Sequence, residues 1–118
     1  RCREWSARAG YTPCKGDFIA LSFDPQTGHE QQGRRPALVV SNDLFNERTG
    51  LCVVCPVTRT DHGYPFHVRI PDGEPVEGYV MVEQVKSTAF RARGAKRIGV
   101  APRSVLDEAL ALIDACLY

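Results

Sequence analysis

Residues 28–43, GHEQQGRRPALVVSND, set His29, Glu30, Gln31, Gln32, Arg34 and Arg35 immediately ahead of an apolar run. A histidine with an unperturbed pKa near 6.5 can move protons at neutral pH. A guanidinium offers a planar fork of donors suited to a phosphate, and amide and carboxylate edges can pair with unstacked bases. A second polar feature lies downstream, where Lys86, Arg91, Arg93, Lys96 and Arg97 share one stretch with no acidic residue and with Phe90 among them, while Asp72, Glu74 and Glu77 gather the negative charge. Such a basic segment suits phosphates, and Phe90 suits base stacking. Each feature has an ordinary alternative, a solvated loop between periodic segments. Residue types alone leave site and loop open.

Chemistry at these positions needs elements to hold it. In KGDFIALSFD, Phe18, Ala20 and Ser22 alternate with Ile19, Leu21 and Phe23, the period of two of a pleated strand. Pro25 and Gly28 break that strand and open a polar loop through Gly33. A second strand covers Arg35 to Ser41, and Asn42 or Asp43 caps a helical turn that Gly50 ends. LCVVCPVT reads as a central strand, PFHVRI and GYVMVEQV as two more around the turn-rich PDGEPVEG, and Arg97 to Val100 as a last one. The period then changes. In APRSVLDEALALIDACLY, Pro102 opens a helix with a wide apolar sector, suited to covering one end of a barrel and touching a second subunit. The expected fold is mainly β with a C-terminal helix, a small barrel of SH3-like or OB-like type.

Composition bounds the setting. The chain of 118 residues is sized for one domain, and its 43% hydrophobic and 25% charged residues are those of a globular protein, with no apolar run long enough to span a membrane. A net charge of +1 gives no strong overall field for nucleic acid, so any such contact must be local. The five cysteines form an odd set without framework spacing, which points to a reducing compartment and makes the cytoplasm the expected location. Cys52 and Cys55 have CxxC spacing, but in a strand positions i and i+3 face opposite ways, so buried thiols are expected in place of a metal site. Residues 1–14, with neither an initiating Met nor an apolar stretch of signal-peptide type, read as an extension outside a domain covering 15–118.

The order KGDFIALSFDP, GHEQQGRRPALVVS, VVCPVTRT, GYPF, EQVKS and RARGAKR resembles the MazF/PemK family of toxin endoribonucleases, including its Kid-like members. The resemblance runs from about Lys15 to the end, and the EQ-G-x-RP element is its most specific part. It implies a compact SH3-like, PemK-like barrel with an appended helix, a homodimer, and cleavage of single-stranded RNA with no metal or other cofactor. It also implies inhibition by a cognate antitoxin with an acidic, disordered segment. By resemblance Arg35 and Thr58 align with catalytic residues, His29 with a catalytic histidine and Glu83 with a catalytic aspartate of the Kid-like members. Met81 stands where those members carry a catalytic arginine, so their arrangement does not transfer whole. Glu30, Gln31, Arg34, Gln84, Lys86, Phe90, Arg91 and Arg93 are the expected RNA contacts.

The residues support that chemistry on their own terms. Cleavage through the neighbouring 2′-hydroxyl requires removing its proton, protonating the leaving 5′-oxygen and stabilising extra charge on phosphorus. Arg35 suits the last task, Thr58 can donate or accept one hydrogen bond, and His29 has the right intrinsic pKa for proton transfer. The plain alternatives are an arginine leaning over a barrel rim and a threonine chosen for strand propensity. Two functions from different classes compete: an RNA-cleaving toxin, and a non-catalytic barrel toxin of CcdB type that acts by binding a protein. Fold alone does not separate them.

Overall fold

The computed structural model describes residues 11–22, 34–60, 63 and 65–117. Among these residues seven strands and two helices follow one another as β1 (Asp17–Ser22), β2 (Arg34–Val39), α1 (Asp43–Thr49), β3 (Leu51–Thr58), β4 (His67–Arg69), β5 (Tyr79–Met81), β6 (Lys86–Ala89), β7 (Lys96–Val100) and α2 (Arg103–Leu117), with a 3-10 turn, Val82–Gln84, between β5 and β6. The strands form one curved antiparallel sheet ordered β4-β5-β3-β2-β1-β7, and β6 also pairs with β3. The sheet is barrel-like but not closed. β3 is central because its eight residues have partners on both edges: β2 on one, then β6 and β5 in succession on the other. Only a long apolar run can serve three neighbours, and LCVVCPVT is that run.

Strand alternation divides the core in two. Phe18, Leu38, Cys55, Val57, Val68 and Val80 point to one face, where α2 closes the cluster with Val105 and Ala109. Ile19, Leu21, Ala37, Val39, Cys52 and Val54 point to the other, where Phe90 closes it. Cys52 and Cys55 therefore lie on opposite faces as free buried thiols. Cys14 is disulfide-bonded, so the expectation of unpaired cysteines does not extend to it.

Two boundaries differ from expectation. The helix after β2 is a full α1, because the Asn42 side chain accepts from the Phe45 N–H at 2.9 Å and Gly50 ends it at φ 73°. GYVMVEQV is not one strand. It leaves β5 at Met81, turns through Val82–Gln84 with the Val82 N–H donating to the Phe66 carbonyl, and resumes as β6. β5 and β6 can then occupy different halves of the same β3 edge. On α2, Leu106, Leu110, Leu112 and Ile113 are partly covered by the first cluster, whereas Leu117 is exposed. No described helix is long and apolar enough to cross a membrane.

Candidate active site

The register of the sheet builds the site. Ala37 lies opposite Pro56 across β2 and β3, and continuing that register by two residues sets Arg35 opposite Thr58. Thr58 pairs in turn with Tyr79 of β5, and Tyr79 with Arg69 of β4. One row thus carries Arg35, Thr58, Tyr79 and Arg69 across four strands. The adjacent row, Val57, Val80 and Val68, is buried in the first cluster. By the period of two, the Arg35 row must face away from that cluster.

Arg35 and Thr58 meet at a cleft of about 500 Å³, also lined by Arg59, Glu74, Glu77 and Ile98. Arg35 is exposed, and no ion pair among the described residues occupies its guanidinium. The Thr58 hydroxyl oxygen accepts from the Thr60 N–H at 3.2 Å, which fixes its rotamer and leaves its proton to donate into the cleft. Gly78 sets how closely the chain entering β5 approaches Thr58. It sits at φ 123°, and a Cβ there would lie 2.2 Å from the Thr58 carbonyl oxygen, so only glycine lets β5 close against Thr58. Among the described residues no group of three or more His, Cys, Asp or Glu converges as a metal-ligand set.

The other predicted positions separate. Glu83 does not line this cleft; the 3-10 turn directs its carboxylate to His67 Nε2 at 2.9 Å, with the His67 side chain only 3% exposed. Met81 is half-buried opposite His67. Phe90, expected to stack on bases, is 1% exposed and caps the second cluster, with the Arg91 guanidinium 5.4 Å from its ring centroid. Its face is already covered. Arg93 is half-buried and holds the end of β1, its carbonyl accepting from the Ser22 N–H and its guanidinium reaching the Ser22 carbonyl at 3.4 Å. Arg97 faces the buried Asp17 at 3.7 Å. Gln84, Lys86 and Arg91 are exposed and line none of the described clefts. Arg34 pairs with Ser22 through its backbone, and its side chain, like His29, Glu30 and Gln31, lies outside the described residues.

The sequence reading missed Arg59, Glu74 and Glu77 as cleft residues. Arg59 follows Thr58 directly and was within reach of the motif VVCPVTRT. The glutamates come from the β4–β5 connection, which only the fold brings there.

The family model for the PemK-like, MazF-like toxin of type II toxin-antitoxin systems matches residues 14–117. The endoribonuclease toxin MazF of Escherichia coli K12 is 45% identical over 105 residues, covering 89% of this chain and 90% of that protein. The endoribonuclease toxin ChpB of the same organism is 41% identical, covering 86% and 90%. A crystal structure of MazF from Deinococcus radiodurans superposes with a TM-score of 0.82 at 43% identity, covering 91% of this chain and 97% of that one. With its fold and nearly its whole length matched, the chain belongs to the PemK-like, MazF-like toxins of type II toxin-antitoxin systems.

Proposed function

We propose that the protein is a sequence-selective endoribonuclease toxin that cleaves single-stranded messenger RNA through its own 2′-hydroxyl, without a metal, and so arrests translation and growth. The carrying observation is the cross-strand placement of Arg35 and Thr58 at one open cleft. Arg35 would hold the phosphate as its charge grows. Thr58 would donate to a non-bridging oxygen from a hydroxyl already oriented by Thr60. Proton removal falls to His29, or to the Glu74 or Glu77 carboxylate that the cleft supplies. Single substitutions separate them: of His29→Ala, Glu74→Gln and Glu77→Gln, the one that abolishes cleavage marks the group that removes the proton.

The test is to incubate the protein with a long single-stranded RNA in excess EDTA and to map the new ends. Cleavage should persist and leave a 2′,3′-cyclic phosphate and a 5′-hydroxyl, and a single deoxyribose at the scissile nucleotide should block it. Activity that disappears with EDTA and returns with Mg²⁺ rejects the mechanism. A CcdB-like toxin needs no guanidinium and hydroxyl facing a cleft, and the relatives are named endoribonucleases. That alternative is set aside.

The related Deinococcus toxin has been crystallised as a MazE–MazF pair, 37% identical to this chain with a TM-score of 0.80. We infer a corresponding antitoxin here, with an acidic segment that orders on the Arg35 cleft and excludes RNA. The working form is a homodimer, for which exposed Leu44, Val100 and Leu117 supply apolar surface. The compartment is the cytoplasm, where messenger RNA is translated. Titrating antitoxin peptide against non-cleavable RNA at two salt concentrations, with light scattering for mass, tests the antitoxin and the dimer; a monomer, or peptide and RNA bound together, rejects the arrangement.

A further inference from the structure

The catalytic cleft does not end at Thr58. A second cleft of about 350 Å³ adjoins it, lined by Arg59, Arg69, Pro71, Asp72, Glu77 and Tyr79 among others, and it shares Arg59 and Glu77 with the first. The row Thr58, Tyr79, Arg69 leads from one to the other. Two strand spacings separate Thr58 from Arg69, roughly 10 Å, a distance that one extended nucleotide and an arginine side chain can bridge. We propose that this second cleft binds the nucleotide next to the scissile phosphate. Arg59 and Arg69 hold its phosphate, the half-buried Tyr79 ring stacks on its base, and Glu77 accepts from the amino edge of that base. The proposal rests on the ribonuclease reading and adds to it a substrate subsite in which Arg69, Glu77 and Tyr79 lie outside the family motifs.

Each group fits the role chemically. Base–aromatic stacking tolerates any base, because every base has a π-face. The Tyr79 backbone is fixed on both sides, paired with Thr58 and with Arg69. Among the described residues Arg69 makes only a wide, exposed ion pair with Asp72, 3.6 Å apart with side chains 64% and 99% exposed, and such a pair is easily exchanged for a phosphate. The mixture of charges suits a nucleotide, which presents a phosphate to the guanidinium groups and N–H donors to the carboxylate.

The experiment is steady-state cleavage by the full chain of an oligoribonucleotide containing a mapped cut site, and of versions shortened from either end. Arg69→Ala and Tyr79→Ala should each raise KM about tenfold on the long substrate, with kcat within about twofold of wild type. Tyr79→Phe, which keeps the ring, should restore KM. Shortening one end should raise the wild-type KM and erase the difference between wild type and variants. An abasic site at the flanking nucleotide should cost the wild type what Tyr79→Ala costs, and cost that variant nothing more. Unchanged KM overturns the subsite. So does an equal loss of kcat on every substrate, which would make Tyr79 a mere support for Thr58, and so does a defect confined to antitoxin binding. A wild-type protein that cuts no RNA rejects the ribonuclease reading itself, a result separate from all of these.

Discussion

Two ends of the sheet hold polar side chains in opposite ways. At the end where β1 begins, Asp17 is 4% exposed and fully engaged: the Tyr11 hydroxyl and the Cys14 N–H donate to it, and Arg97 stands beside it. Nearby, Asn46 is 0% exposed; its amide donates to the Pro13 carbonyl at 2.8 Å and its oxygen accepts from Ser41, whose own oxygen accepts from the Val53 N–H. Burial and the bond to Asp17 push the Tyr11 phenol far above its ordinary range, so it remains a neutral donor. At the other end, Arg35 is exposed and Thr58 keeps a donor over after Thr60 is satisfied. Satisfied polar groups hold a fold, and groups with donors left over face a ligand.

The largest effect that contrast predicts is at Arg35. Arg35→Ala should lower kcat/KM about 100- to 1000-fold, as expected for losing one preorganised electrostatic group, while thermal unfolding stays unchanged because no described contact depends on it. Thr58→Ala should fall in the same range and Thr58→Ser should recover most of it. A stability loss at Arg35 with proportionate activity would erase the distinction between the two ends.

The mirror experiment is Asp17→Ala. It leaves the Tyr11 hydroxyl and the Cys14 N–H without their acceptor, which should cost about 2–3 kcal/mol in a denaturant titration. Activity per folded molecule should hold within about twofold. A catalytic defect in protein that remains fully folded would assign Asp17 to the reaction and break the comparison from the other side.

How much of this was legible depends on how local the signal is. β3 and α2 were readable because LCVVCPVT and the apolar positions Val105, Leu106, Ala109, Leu110 and Ile113 carry their periods within a few residues. Arg35 and Thr58 were legible through motif order, but the reason they meet, the β2–β3 register, is not written in either segment. The break after Met81 was missed because GYVMVEQV keeps an apolar pattern through a turn that the edge of β3 imposes. Phe90 was misread for a related reason. Flanking arginines suggest exposure, yet a lone aromatic in a basic turn is the side chain able to close the second cluster. Tyr79 and Arg69 join the site only by lying across from each other on separate strands, a relation with no signature in the order of residues.

The smallest effect concerns groups that belong to neither end. Burial pushes the Cys52 and Cys55 thiols up to about 12 from their ordinary value of 9.0, so both remain protonated wherever the fold exists at neutral pH. Iodoacetamide at pH 8 should therefore modify exposed Cys116 quickly and spare Cys52 and Cys55 until denaturant is added, as peptide mapping would show. The same shifts set a slope. Above pH 9 the unfolded thiols lose their protons while the folded ones keep them, so the unfolded state binds fewer protons and stability falls as pH rises toward 12. The raised Tyr11 adds to the fall with the same sign. Cys55→Ala should flatten part of that alkaline slope in melts recorded from pH 8 upward, with cleavage by the folded protein unchanged. A slope as steep as wild type would place the titration elsewhere, and rapid labelling of Cys52 in the folded protein would show that the Phe90 lid over the second cluster opens.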